Sequence, residues 1–93
     1  SENVQAGADI SQTNDGNASV TWISEGNAES LNVSVSDGSV SLDPSPGNMS
    51  SVGESVRIEN DTSTDLTVTV TAIGNGGSRT VVAQKEVTVG TGS

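Results

Sequence analysis

Apolar side chains in this chain recur at every second position. The run 30–36 is the cleanest case, with Leu31, Val33 and Val35 on one side and Asn32, Ser34 and Ser36 on the other. That is the period of a strand with one buried face. The run 66–73 repeats it, setting Leu66, Val68, Val70 and Ala72 against Thr67, Thr69 and Thr71. Shorter versions lie at 8–13 (Ala8, Ile10, Gln12), 18–24 (Ala18, Val20, Trp22), 39–42 (Val40, Leu42) and 55–59 (Val56, Ile58). The final run, 80–89, changes phase: Val81 and Ala83 alternate one way, Val87 and Val89 follow around Lys85, and Val82 falls opposite. This predicts either a bulge near Gln84 and Lys85 or an edge strand that exposes Val82.

Between these runs stand turn formers. Asn14-Asp15-Gly16-Asn17, Asp37-Gly38 and Asn75-Gly76-Gly77 each predict a hairpin. The stretch 43–48 contains Pro44 and Pro46, which lack the N–H of a ladder, so it is expected to be a crossover loop. Seven to eight short strands with turns about every ten residues predict an all-β fold: an antiparallel two-sheet β-sandwich, immunoglobulin-like in general architecture. The sandwich is expected over residues 9–90. Residues 1–8 read as a flexible leader or the end of a missing N-terminal helix, and 91–93 as a tail.

Composition makes this core thin. The chain has 13 Val, 4 Ile and 3 Leu but no Phe or Tyr, so patterning rather than bulk must specify the fold. Trp22 is the lone aromatic and is most simply the core anchor, the other reading being an exposed binding residue.

Charge narrows the partners. Twelve acids against three bases give a net charge of -9 and rule out attachment to phosphate backbones; docking on anionic lipid is disfavoured too. The acids are scattered, so their mutual repulsion weakens the fold in dilute buffer and is screened near molar salt, where the Debye length is about 3 Å. The domain reads as one made for very salty water; the plainer alternative is a secreted domain kept soluble by acid. With no Cys there is no disulfide framework, and no 18-residue apolar run occurs.

Candidate chemistry is sparse. Without His or Cys the chain lacks the usual general base and the usual zinc and copper ligands. Lys85 is the only lysine that could activate a Ser, and 16 Ser make some proximity uninformative. Glu59, Asp61 and Asp65 are candidates for calcium at a sandwich rim, although they lack EF-hand spacing and read equally as solvated loop acids. We therefore expect no enzyme activity, no cofactor and no resident metal. The one modification signal is four Asn-x-Ser/Thr triplets, beginning at Asn17, Asn32, Asn48 and Asn60, all expected in loops or on polar strand faces.

Several segments, taken in order, resemble the headgroup of haloarchaeal type IV pilins. They are Val20-Thr21-Trp22-Ile23-Ser24 with Gly26-Asn27-Ala28, Leu31-Asn32-Val33-Ser34-Val35, Ser51-Val52-Gly53-Glu54-Ser55-Val56, and the ending 66–74 through 81–89. The resemblance runs from about Gln5 to Val89. It implies a cleaved leader and a long apolar helix upstream of Ser1, self-assembly into a filament through that missing helix, and water-facing heads. Such heads are often N-glycosylated and serve adhesion to surfaces or other cells. Extracellular placement on a cell-surface filament follows, as does a monomeric isolated head without membrane contact of its own. The alternative is an immunoglobulin-like ligand-binding or adhesin module of a larger secreted surface protein. The charge reading predicts that stability rises with KCl: a gain of about 1 kcal/mol between millimolar and molar salt moves the thermal midpoint by about 4–8 °C. Calorimetry that finds equal midpoints removes the high-salt reading.

Overall fold

The computed structural model describes residues 3–90, and the tail at 91–93 lies outside them, as do Ser1 and Glu2. Eight strands follow in chain order: β1 (Gly7–Gln12), β2 (Ala18–Ser24), β3 (Ser30–Val35), β4 (Ser41–Asp43), β5 (Asn48–Met49), β6 (Ser55–Glu59), β7 (Thr64–Ile73) and β8 (Arg79–Val89). They form two four-stranded antiparallel sheets, β1-β2-β6-β4 and β5-β3-β7-β8. The order is that of an immunoglobulin constant-type sandwich, with the two-residue β5 added beside β3. Only the first and last connections are hairpins; every other connection carries the chain from one sheet to the other.

Two of the three expected hairpins are present. In the β1–β2 turn, the Gly16 N–H donates to the Thr13 carbonyl and the Thr13 N–H to the Asn17 carbonyl. Gly16 takes φ 87°, the left-handed conformation that completes a three-residue hairpin loop. Asn75–Gly77 closes β7 onto β8 with the same pair of backbone bonds, the Gly74 N–H to the Ser78 carbonyl and the Gly77 N–H to the Gly74 carbonyl, but with positive φ at both Gly76 and Gly77. Asp37-Gly38 does not make a hairpin: β4 pairs with β6 in the opposite sheet. The reason is local. The Asp37 carboxylate accepts from the Ser39 N–H and hydroxyl, and the Val40 N–H donates to the Asp37 carbonyl. That is a turn of ordinary hand, without the positive φ at Gly38 that would return the chain along β3. The chain crosses over, and Val40 enters the core.

The buried set is the inward face of both sheets. Ala18, Val20, Trp22, Val56 and Ile58 face Leu31, Val33, Val68, Val70, Ala72, Val87 and Val89. Trp22 is 1% exposed and its indole N–H donates to the Ser24 carbonyl at 2.8 Å, so its polar end is satisfied within the fold. The phase change in the last strand is a bulge, but at Val82 rather than at Gln84 and Lys85. Val70 faces Ala83 and Thr71 faces Val81, leaving Val82 as the extra residue. Its insertion reverses the expected alternation: Val81 is 57% exposed, while Val82 and Ala83 pack against the core. Past the bulge Lys85 pairs with Val68 on an edge strand and is exposed to solvent.

Much of the leader expected over 1–8 is built into the sandwich. Val4 is buried and β1 opens at Gly7. Asn27 holds this segment: its N–H donates to the Gln5 carbonyl, its Oδ1 accepts from the Gln5 N–H, and its Nδ2 donates to the Asn3 carbonyl. Gly26 permits the approach, since a Cβ there would lie 2.0 Å from the Gln5 oxygen. Two apolar positions were too short a run to show a period, and the partner lies 22 residues away. Trp22→Ala empties the largest core site and costs about 3–5 kcal/mol, out of a total of about 5–15 kcal/mol for a domain. Urea unfolding followed by circular dichroism measures it, and a loss under about 1 kcal/mol contradicts the anchoring role.

Candidate functional site

The four candidate acceptors fall into two pairs. Asn32 on β3 and Asn48 on β5 are directly opposed, and the Asn32 Nδ2 donates to the Asn48 Oδ1 at 2.8 Å. Both lie on the outer face of their sheet, in a shallow groove with Ser30, Ser50, Ile73 and Arg79. Asn17, just before β2, and Asn60, just after β6, line a second open groove with Ser39, Ser41, Glu59 and Asp61. A pair of sites 16 residues apart and another 43 apart are thus brought together by strand pairing alone.

A glycan attaches through the side-chain amide nitrogen, so the fate of that atom separates the four. Asn60 Nδ2 donates to the Thr62 carbonyl and the Thr64 hydroxyl, each at 2.8 Å, which engages both of its hydrogens. Asn32 is half-buried and spends one hydrogen on Asn48. Asn17 is half-buried, with its Oδ1 inside the protein and unpartnered. Asn48 is exposed, and its nitrogen donates no hydrogen bond to the described residues. Of the four, Asn48 offers the most accessible acceptor.

The outer faces are hydroxyl- and amide-rich. On one sheet Thr67, Thr69 and Thr71 stand in a row along β7, and the Gln84 amide donates to the Thr69 hydroxyl. On the other, Thr21 and Ser55 share a hydrogen bond across β2 and β6. Ile23 stands exposed on that face near one end, and Val52 is exposed in the loop between β5 and β6. Isolated apolar side chains of this sort are ordinary on protein surfaces.

Charge is largely unpaired. Arg57 bonds Asp15 and Glu59, each at 2.8 Å, and these are the ion pairs among the described residues. All three side chains are at least 40% exposed, so the pairing adds little to stability. The Thr13 hydroxyl and then Arg57 hold the Asp15 carboxyl well below the ordinary range, and Asp15 with Glu59 raises Arg57. The Ser39 hydroxyl and N–H lower Asp37; the Ser50 N–H and the Ser51 hydroxyl lower Glu54. Each of these carboxylates organises its own loop. The calcium candidates do not converge: Glu59 is held by Arg57, Asp65 accepts from the Thr88 hydroxyl, and Asp61 lies in the groove beside Asn60. Among the described residues no three acidic side chains are placed to hold a metal, and none of the described helices is long and apolar enough to cross a membrane.

No protein-family model matches the chain, and no curated protein matches it. The loop carboxylates generate a pH dependence. Each has a folded pKa below its ordinary value, 3.8 for Asp37 and 4.5 for Glu54. Their contribution is complete above those values and is lost as pH falls through the lowered ones. In molar KCl, where overall repulsion is screened, the thermal midpoint is level from pH 7 to about 5 and falls below about pH 4. Asp37→Asn flattens part of that fall; an identical profile in the variant shows that the Asp37 loop does not contribute.

Proposed function

We propose that this domain is the water-facing head of a surface-filament subunit of the haloarchaeal type IV pilin kind, working by display and contact rather than by catalysis. The observation that carries the reading is the clamp on residues 3–5. Asn27 and the close approach at Gly26 fix residues 3–5 to one end of the sandwich, the kind of anchorage a head carried on its N-terminal side calls for. The outer faces supply the rest: hydroxyls, amides and uncompensated carboxylates form a hydrated coat suited to contact with salt water. Asn48, the most accessible acceptor, would place a glycan on the outer face of the β5-β3-β7-β8 sheet, one strand away from the Thr row of β7.

A second reading, an immunoglobulin-like module within a longer surface protein, is favoured by one feature. Asn3 is bonded beside the β2–β3 loop, and the Gly90 N–H donates to Gly16 in the β1–β2 turn, so the chain passes from one pole to the other. Filaments sheared from the producing cells and analysed by peptide mass spectrometry separate the two. The filament reading expects peptides of this chain in the filament fraction, within a subunit not much larger than the head plus one helix. Their absence from filaments, with presence in a long cell-surface polypeptide, replaces it with the second reading. Intact mass of the native protein tests the coat: Asn48→Gln is expected to remove more glycan mass than the same change at Asn17, Asn32 or Asn60, and an unmodified native mass removes glycosylation from the proposal.

A further inference from the structure

We propose that the sandwich is a load-bearing element, built to carry tension along its long axis through the seam between β1 and β8. The inference does not depend on the filament reading, because it concerns how the fold responds to force. The molecule measures 47 × 21 × 19 Å, and β1 and β8 are the edge strands of the two sheets on the same side of it. They run in the same direction: Val4 meets Thr80 near one pole, Ile10 meets Lys85 midway, and Gln12 meets Thr88 near the other.

Tension applied at Asn3 and Gly90 draws β1 back out of one pole and β8 out of the other. Each strand must slide along its neighbours. The β1–β2 and β7–β8 hydrogen bonds lie across the pulling direction, so they resist together rather than parting one at a time. β8 alone is paired with β7 over ten positions.

The seam has its own cross-links, and they are all long-range. The Val4 N–H donates to the Thr80 hydroxyl at 3.2 Å, Lys85 Nζ to the Ile10 carbonyl at 3.2 Å, and Gln12 Nε2 to the Thr88 carbonyl at 2.7 Å. The Gly90 N–H adds a bond to the Gly16 carbonyl at 2.7 Å. Lys85 is the most telling. It is the only lysine in a chain with three cations and twelve acids, yet it makes no ion pair among the described residues. It pairs in register with Val68 and is exposed at the open side of the sandwich, where its ammonium reaches the backbone of the other sheet. Donation to a backbone carbonyl is also the less salt-sensitive use of a cation, since no opposing charge is there to be screened.

Single-molecule stretching tests this. The chain has no Cys, so handles can be placed at will. Axial pulling uses Asn3→Cys and a cysteine appended after Ser93; same-pole pulling pairs that appended cysteine with Asn14→Cys in the β1–β2 turn. We expect a longer lifetime at a given load in the axial geometry. Lys85→Met retains the stem and loses the cross-link, so it is expected to shorten the axial lifetime about fivefold, the effect of one hydrogen bond, and the same-pole lifetime much less. Lys85→Arg restores the axial lifetime, and Gln12→Leu provides a second test of the seam, at its other end. Equal lifetimes in the two geometries, or an equal loss in both on Lys85→Met, overturn the proposal, since either result marks the seam as ordinary stability rather than resistance to axial load.

Discussion

Two facing rows of short branched side chains hold this molecule together, and Trp22 is the one group large enough to span between them. Val20, Val56 and Ile58 from one sheet meet Val33, Val68 and Val70 from the other, all essentially without solvent exposure. Val has few rotamers to lose, which favours its use in strands, but it fills little volume. A core made of Val alone leaves little margin for a domain of this size. The indole supplies the missing bulk, and its N–H is closed off on the Ser24 carbonyl two residues along the same strand.

Because the inward face takes nearly all the apolar side chains, the outward face inherits Thr, Ser, Asn, Gln and acid. The electrostatic character follows from that partition. Arg57 gathers two carboxylates, and Lys85 is placed on a carbonyl, so repulsion among the remaining acids is left to the solvent to screen. The carboxylates that are organised act locally: Asp15, Asp37 and Glu54 each bind hydroxyls or N–H groups of their own turn. Their hydrogen bonds shape those loops.

The connections explain the topology. Five of the seven links between strands change sheets, so the chain stitches the two layers together repeatedly between its terminal hairpins. The edges this leaves are treated differently. β4 and β5 are only three and two residues long, too short to template another strand. The long edge strand β8 is instead twisted by its bulge and bridged to β1 by side chains. One device thus protects an edge and joins the sheets.

The positions of every strand but β5, the buried face of most of them and two turns were legible in the residues, because alternation and positive-φ turn chemistry act over two to four neighbours. Asn48 and Met49, which read as the end of a crossover loop and its continuation, pair with β3 as a two-residue strand too short to show a period. Trp22, Leu31, Val33 and Val70 could be assigned inward from their spacing alone. What tertiary structure alone decided is everything set by distant partners. Asp37-Gly38 looked like a hairpin, but its turn has the ordinary hand and β4 found β6 instead of β3. The bulge moved to Val82 because β7 dictates the register of β8, and this put Lys85 opposite Val68, where its exposed side chain reaches Ile10 across the seam. Val4 joined the core through Asn27, and the acceptor asparagines became two pairs distinguished by what their amide nitrogens already bond. Local pattern fixes which way a side chain points along a strand; which strand lies beside it depends on contacts that no short window contains.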